Sequence, residues 1–274
     1  MPATVPSHLQ PVIDDLLPLC KALGQGRYAV SIGGSYGKGT FDRSSDLDFR
    51  LFCERRLPTP EANRAAYATL QAAIDRWAAA GYTIDGCWVR TIGDIEQEID
   101  RWVIGEGVPV DLVWTIWGYH ILTDVYNQMV IDDPYGVLAG WRAQLATYPP
   151  RLKQAVLDKH LASVRYWRQD YHYRHKVARR DVVFLAGLSA RLVHDLMQIL
   201  FALNETYYAG DGNNLVFVEQ FDLVPTGFIE GVEAALYPGN DDGAAEAQYE
   251  RLAALIDAVE ALVASVTAEP ASEA

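Results

Sequence analysis

Three acidic residues and one glycine-rich turn carry the chemistry legible in this chain. The turn is Gly33-Gly34-Ser35, reached from a short apolar run, Tyr28-Ala29-Val30-Ser31-Ile32. Ten residues then separate Ser35 from Asp46-Leu47-Asp48, which opens a second apolar run ending at Phe52. A backbone without side chains can approach phosphate closely. Residues i and i+2 of a strand point to the same face, so Asp46 and Asp48 can share one cation. Together these are the parts needed to hold a nucleoside triphosphate with its Mg2+.

A third acid, Asp111, lies in the apolar run Val110-Asp-Leu-Val-Trp114. An unpaired charge in a half-buried strand is costly, so it needs a partner, and a bound cation is one. If the strands of Asp48 and Asp111 are neighbours, their side chains sit about 5 Å apart across the ladder. Three carboxylates so placed can hold two Mg2+ ions about 4 Å apart, the clamp used for in-line phosphoryl displacement. The competing reading is that Asp46 and Asp48 end a turn and Asp111 meets an arginine.

The elements that must position these residues follow from periodicity. Ile13–Leu23 repeats at helical spacing and stops at Gly24-Gln-Gly26; strands are expected over 28–33 and 47–53. Pro58 and Pro60 precede an Ala-rich helix over 61–80, followed by a strand over 82–92, a short amphipathic helix over 94–103 and a strongly apolar strand over 108–116. The order favours a mixed sheet with helices on it. Residues 117–147 read as helical, interrupted at Pro134-Tyr-Gly136. Beyond Tyr148-Pro149-Pro150 strand signals stop, and helical periodicity runs from 152 to 208, then near 215–221, 227–236 and 244–266. The expected division is a catalytic α/β domain over 1–149 and a helical bundle over 150–274.

The bulk numbers narrow the class. Of 274 residues half are apolar, which suits a globular chain, and the formal charge of −13 opposes a surface built to track nucleic-acid backbone. Cys20, Cys53 and Cys87 are odd in number, with no C-x-x-C pair, as expected for reduced thiols in a cytoplasm. No signal peptide or membrane partner is expected from the polar, Pro-rich start.

Two other motifs compete for the turn. Gly37-Lys38 resembles the end of a P-loop, but the glycine spacing is short and residue 39 is Gly, so no hydroxyl follows the lysine. Ser35-Tyr-Gly-Lys38 fits S-x-x-K without its companion motifs. In the second half, Arg165, Arg168, His172, His175, Lys176 and Arg179 largely share one helix face. Arg168 and Lys176 are the phosphate contacts expected there; the alternative is a solvated face of intrahelical ion pairs. His172 and His175 lack a third ligand at metal spacing. Glu96, Glu98 and Glu106 are alternatives to Asp111 as general base for an acceptor hydroxyl. Trp167, Tyr171, Tyr173, Tyr207 and Tyr208 are divided between core and base stacking.

The Gly33-Gly34-Ser35 turn, Asp46-Leu-Asp48 and the strand acid Asp111 resemble the nucleotidyltransferase superfamily typified by DNA polymerase β. The small bacterial aminoglycoside and lincosamide nucleotidyltransferases are among its members. Tyr148-Pro149 and Leu200-Phe-Ala-Leu-Asn-Glu-Thr-Tyr207 resemble an uncharacterised bacterial branch of the superfamily. The resemblance implies a nucleotidyltransferase α/β (α+β) core followed by an all-helical C-terminal domain. It further implies that Gly34 and Ser35 contact the triphosphate, that Asp46 and Asp48 ligate Mg2+, and that Asp111 is metal ligand or base. Gly33 and Lys38 are the other residues expected at the nucleotide, and Asp111 counts with Asp46 and Asp48 as an expected metal ligand. Where many relatives carry a lysine, Gly210-Asp-Gly-Asn-Asn214 stands here. The implied activity is transfer of a nucleoside monophosphate, AMP from ATP in the first instance, to a hydroxyl of a small cationic acceptor, as in antibiotic resistance enzymes. The alternatives are a protein or tRNA acceptor, as in toxin-like members, and an inactive nucleotide-binding module. Retention of all three acids argues against the last.

Overall fold

The computed structural model describes residues 5–104, 121–210 and 214–267. Their contacts divide them into two compact units, residues 5–104 with 121–147, and residues 148–210 with 214–267. The first is a four-stranded mixed sheet with helices, the second helical throughout.

In the α/β unit, α1 (Gln10–Lys21) leads into β1 (Gly24–Ile32). The glycine turn becomes a one-turn helix, α2 (Gly34–Lys38), closed by Gly39 in the left-handed conformation at φ 74°. After β2 (Leu47–Arg56), Thr59 caps α3 (Pro60–Ala79) by accepting from the Ala62 amide. Thr91 does the same for α4 (Ile92–Val103), whose Ile92, Ile95, Ile99 and Trp102 form one buried stripe. Between these helices lies β3 (Ile84–Thr91); α5 (Ile121–Tyr126), β4 (Met129–Asp132) and α6 (Val137–Leu145) complete the unit.

The strand order is β3-β2-β1-β4, with β2–β3 parallel and the other pairs antiparallel. Alternation along the strands makes two unlike faces. Val30, Ile32, Leu47, Phe49, Leu51, Cys53 and Cys87 join the core with Val12, Leu16 and Cys20 of α1 and Leu70 and Ile74 of α3. The opposite face carries Asp48 and Arg50 of β2, level with Gly86 and Trp88 of β3, and Ser31 of β1 opposite Arg50.

The helical unit comprises α7 (Pro150–Gln169), α8 (Tyr171–Ala178), α9 (Val182–Leu203), α10 (Leu215–Val218), α11 (Phe228–Leu236) and α12 (Ala244–Thr267). Residues 192–203 of α9 are all buried, so it is the central helix. It is the one described helix long and apolar enough to cross a membrane, but most of that window is packed inside the unit, as a core helix would be.

One sequence expectation changes, and another falls outside the described residues. Residues 117–147, read as helical, include the strand β4. Four residues are too short to show alternation, and β4 exists because it completes the open edge of β1. The strand expected over 108–116, with Asp111, lies outside the described residues.

Candidate functional site

The β1–α2 turn and the start of β2 are locked together through their backbones. The Gly33 amide donates to the Asp48 carbonyl at 2.9 Å, and the Gly37 amide to the Gly33 carbonyl at 2.9 Å. Gly33's N–H is therefore already used, whereas the first amides of α2 have no intrahelical acceptor. Gly34 takes φ +56°, and a methyl group built on it would overlap Asp48 Oδ2. A glycine is needed there both for the left-handed backbone and because the carboxylate lies against that backbone. A methyl group on Gly37 would likewise overlap the Asn127 carbonyl. The Ser35 hydroxyl oxygen is buried without a hydrogen-bond partner among the described residues. Lys38 closes the last turn of α2.

Asp46 sits in the turn before β2, and Asp48 is the strand's second residue. Burial pushes the Asp48 carboxyl up to about 6; Arg50 opposes this, while Asp46, Asp85 and Asp124 add to it. Arg50 is nearly inaccessible. Its Nη1 stands 3.8 Å from Asp48 Oδ1, its Nε donates to Asp124 Oδ1 at 3.4 Å, and its guanidinium lies 4.8 Å over the Trp88 ring. Arg90 Nε lies 3.8 Å from Asp124 Oδ2, with its guanidinium 5.5 Å from the same ring. The Gln128 amide donates to the Asp124 backbone carbonyl and, at 3.2 Å, to Oδ1; its oxygen accepts from Ser31 Oγ at 2.7 Å.

Four carboxylates thus surround Asp48's position, its own included, against two guanidinium groups. Two of those carboxylates, Asp48 and Asp124, lie out of full solvent contact. Oxygen donors, excess negative charge, a side-chain-free backbone at Gly34 and the unpartnered Ser35 hydroxyl fit a hard divalent cation beside a phosphate chain. Asp46 and Asp48 are the residues that would hold such an ion.

On β3 the register partner of Asp48 is Gly86, and Asp85, next to Gly86, is a further acid that the sheet brings near Asp48. The sequence reading missed Arg50, Arg90, Trp88 and Asp124. The signals were present: Arg50 interrupts the apolar run Phe49–Phe52, and Asp124 sits inside Ile121-Leu-Thr-Asp-Val125. Each is a charge that burial obliges to find a partner.

The cationic stripe of the helical unit is an interhelical ion-pair ladder. Arg165 pairs with Glu260 at 2.6 Å, Arg168 grips Asp257 through two bonds of 3.0 Å, and Arg174 pairs with Glu246 at 2.8 Å, all on α12. Lys176 pairs with Asp181 at 2.7 Å and lies over the Phe184 ring. Both residues expected to meet phosphate, Arg168 and Lys176, thus have a carboxylate partner, on α12 and in the α8–α9 turn respectively. His172 and His175 are exposed and stack against Tyr171. Glu98 binds Arg101 and accepts from Trp102 Nε1; Glu96 is exposed, and Glu106 lies outside the described residues. Tyr173, Tyr207 and Tyr208 are core.

Among families of known sequence pattern, one described as "Domain of unknown function (DUF4037)" matches residues 114–211, less than half of the chain. The matched span includes Asp124 and α7 to α9, and excludes Gly33–Asp48. No curated protein matches the chain.

Proposed function

We propose that the chain is a Mg2+-dependent nucleotidyltransferase, moving a nucleoside monophosphate, AMP from ATP in the first instance, onto a hydroxyl of a small acceptor. The observation that carries the reading is the contact of Gly34 with Asp48. It sets the start of α2 directly against a desolvated carboxylate, with Asp46 two residues away. In the reaction the acceptor oxygen bonds to the α-phosphorus, the bridge to the β-phosphate breaks, pyrophosphate leaves, and the hydroxyl proton passes to a base. Mg2+ would neutralise the phosphate oxygens and the departing pyrophosphate.

The chain's own residues supply position. Asp46 and Asp48 would hold the ion, and the Gly34 and Ser35 amides with the Ser35 hydroxyl would orient the phosphates. Arg50, clamped by Asp124 and Trp88, keeps the Asp48 side chain and the Gly33 backbone in place. Asp111 is the third acid of the reading. The net charge of −13 favours a cationic acceptor of the aminoglycoside kind.

The test is incubation with each α-labelled nucleoside triphosphate, Mg2+ and a panel of aminoglycosides, lincosamides, tRNA and cell extract. A labelled product identifies the acceptor class, and tRNA or protein labelling would select the toxin-like alternative. Absence of both product and triphosphate binding rejects the enzyme. Asp46→Asn with Asp48→Asn is expected to abolish transfer in a folded protein.

A further inference from the structure

We propose that His160 of α7 and His194 of α9, backed by Asp195, form a buried binding site for one borderline divalent transition metal of the Zn2+ class. The site belongs to the helical unit and does not rest on the nucleotidyltransferase reading.

All three side chains are buried, at 3 %, 9 % and 4 % exposure, and each offers a ligand atom within 4.8 Å of the others. Asp195 Oδ1 lies 2.6 Å from His160 Nδ1, and its Oδ2 accepts from Ser163 Oγ at 2.7 Å, with Arg191 3.9 Å away. A carboxylate can only accept, so His160 donates from Nδ1, and in the neutral ring the lone pair is on Nε2. That nitrogen is buried and has no hydrogen-bond partner among the described residues. A carboxylate holding one imidazole nitrogen while the other presents a lone pair is the arrangement that orients metal-binding histidines.

The second imidazole lies close to where a shared ion requires it. The His160 and His194 ring centroids are 5.8 Å apart at 78°. Two imidazoles bound to one tetrahedral ion at about 2.0 Å have centroids about 5 Å apart, so a shared ion would draw the two rings together. His194 Nδ1 is 3.3 Å from the Tyr208 hydroxyl, which also accepts from Asn214 Nδ2 at 3.2 Å. If His194 Nδ1 donates to that hydroxyl, as Asn214 does, the second His194 nitrogen carries the lone pair. Tyr208 then stands to His194 as Asp195 does to His160. Two imidazoles select a borderline ion over Mg2+ or Ca2+, which prefer all-oxygen sets.

The experiment titrates the metal-stripped full chain with Zn2+ against a chromogenic chelator, and with Co2+ by visible absorption. One ion per chain is expected, with Zn2+ raising the melting temperature. His160→Gln and His194→Gln are expected to lose that ion. Asp195→Asn should weaken binding about 10- to 100-fold. Asp46→Asn with Asp48→Asn should leave it unchanged. Imidazole 1H–15N spectra of the wild-type chain give a readout that needs no variant to fold: one equivalent of Zn2+ should shift the His160 and His194 signals. Undiminished binding in both histidine variants, no binding at 1 mM Zn2+ (about 4 kcal/mol or less), or unshifted imidazole signals would each overturn the site, leaving His160–Asp195 as a hydrogen-bonded core pair.

Discussion

Substituting Gly34 and Gly39 by alanine separates backbone strain from loss of the site. Both glycines adopt left-handed backbone, at φ +56° and +74°. A Cβ in that region costs about 1–2 kcal/mol. At Gly39 the added methyl meets nothing within 4 Å, so Gly39→Ala should show the strain alone. That corresponds to a fall in melting temperature of about 2–8 °C. At Gly34 the methyl would overlap Asp48 Oδ2, so the carboxylate must leave its position as well. Overpacking of this kind adds about 1–3 kcal/mol. It also displaces a proposed metal ligand by about 1 Å or more, enough to lower turnover roughly 100-fold. Thermal melts and calorimetric titration with ATP and Mg2+ measure both effects. Gly34→Ala should be the less stable variant and should lose nucleotide binding, while Gly39→Ala binds within a few-fold of wild type. Equal melting temperatures with intact ATP binding in Gly34→Ala would refute the assignment of that contact to the nucleotide site.

Two further outcomes follow from the same geometry. In the metal-free protein, Asp48 rises from an ordinary 3.8 to about 6. A folded value above the unfolded one contributes stability at low pH that is lost as pH rises through about 6. Asp48→Asn should therefore melt higher than wild type at pH 7.5, by roughly 2–3 kcal/mol equivalent, and the gain should vanish below pH 4; a pH-independent difference would contradict the burial of that carboxylate. Arg168→Ala removes a partly exposed pair with Asp257, so it should cost about 0.2–1 kcal/mol and leave ATP affinity within two-fold. A tenfold loss of affinity would return Arg168 to the phosphate-binding role.

What was legible in the sequence was local. The helical periods of α1 and α4, the prolines before the Ala-rich α3 and the apolar run of β2 depend on neighbours a few residues away, and with them comes the Gly33–Asp48 spacing. Which acid faces which base was decided by pairing across the sheet. Arg50 meets Ser31 and Trp88 only because β1 and β3 flank β2 in that register, and Asp124 reaches Arg50 across 74 residues of chain. The same holds in the helical unit. Periodicity placed Arg168 and Lys176 on one face, but the packing of α12 supplied Asp257, and the close approach of α7 and α9 brought His160 to Asp195. Sequence spacing encodes the chemistry that one strand or helix can present. Charge partners and ligand sets joined over long loops are determined by which faces must be buried together, and that is a property of the folded chain.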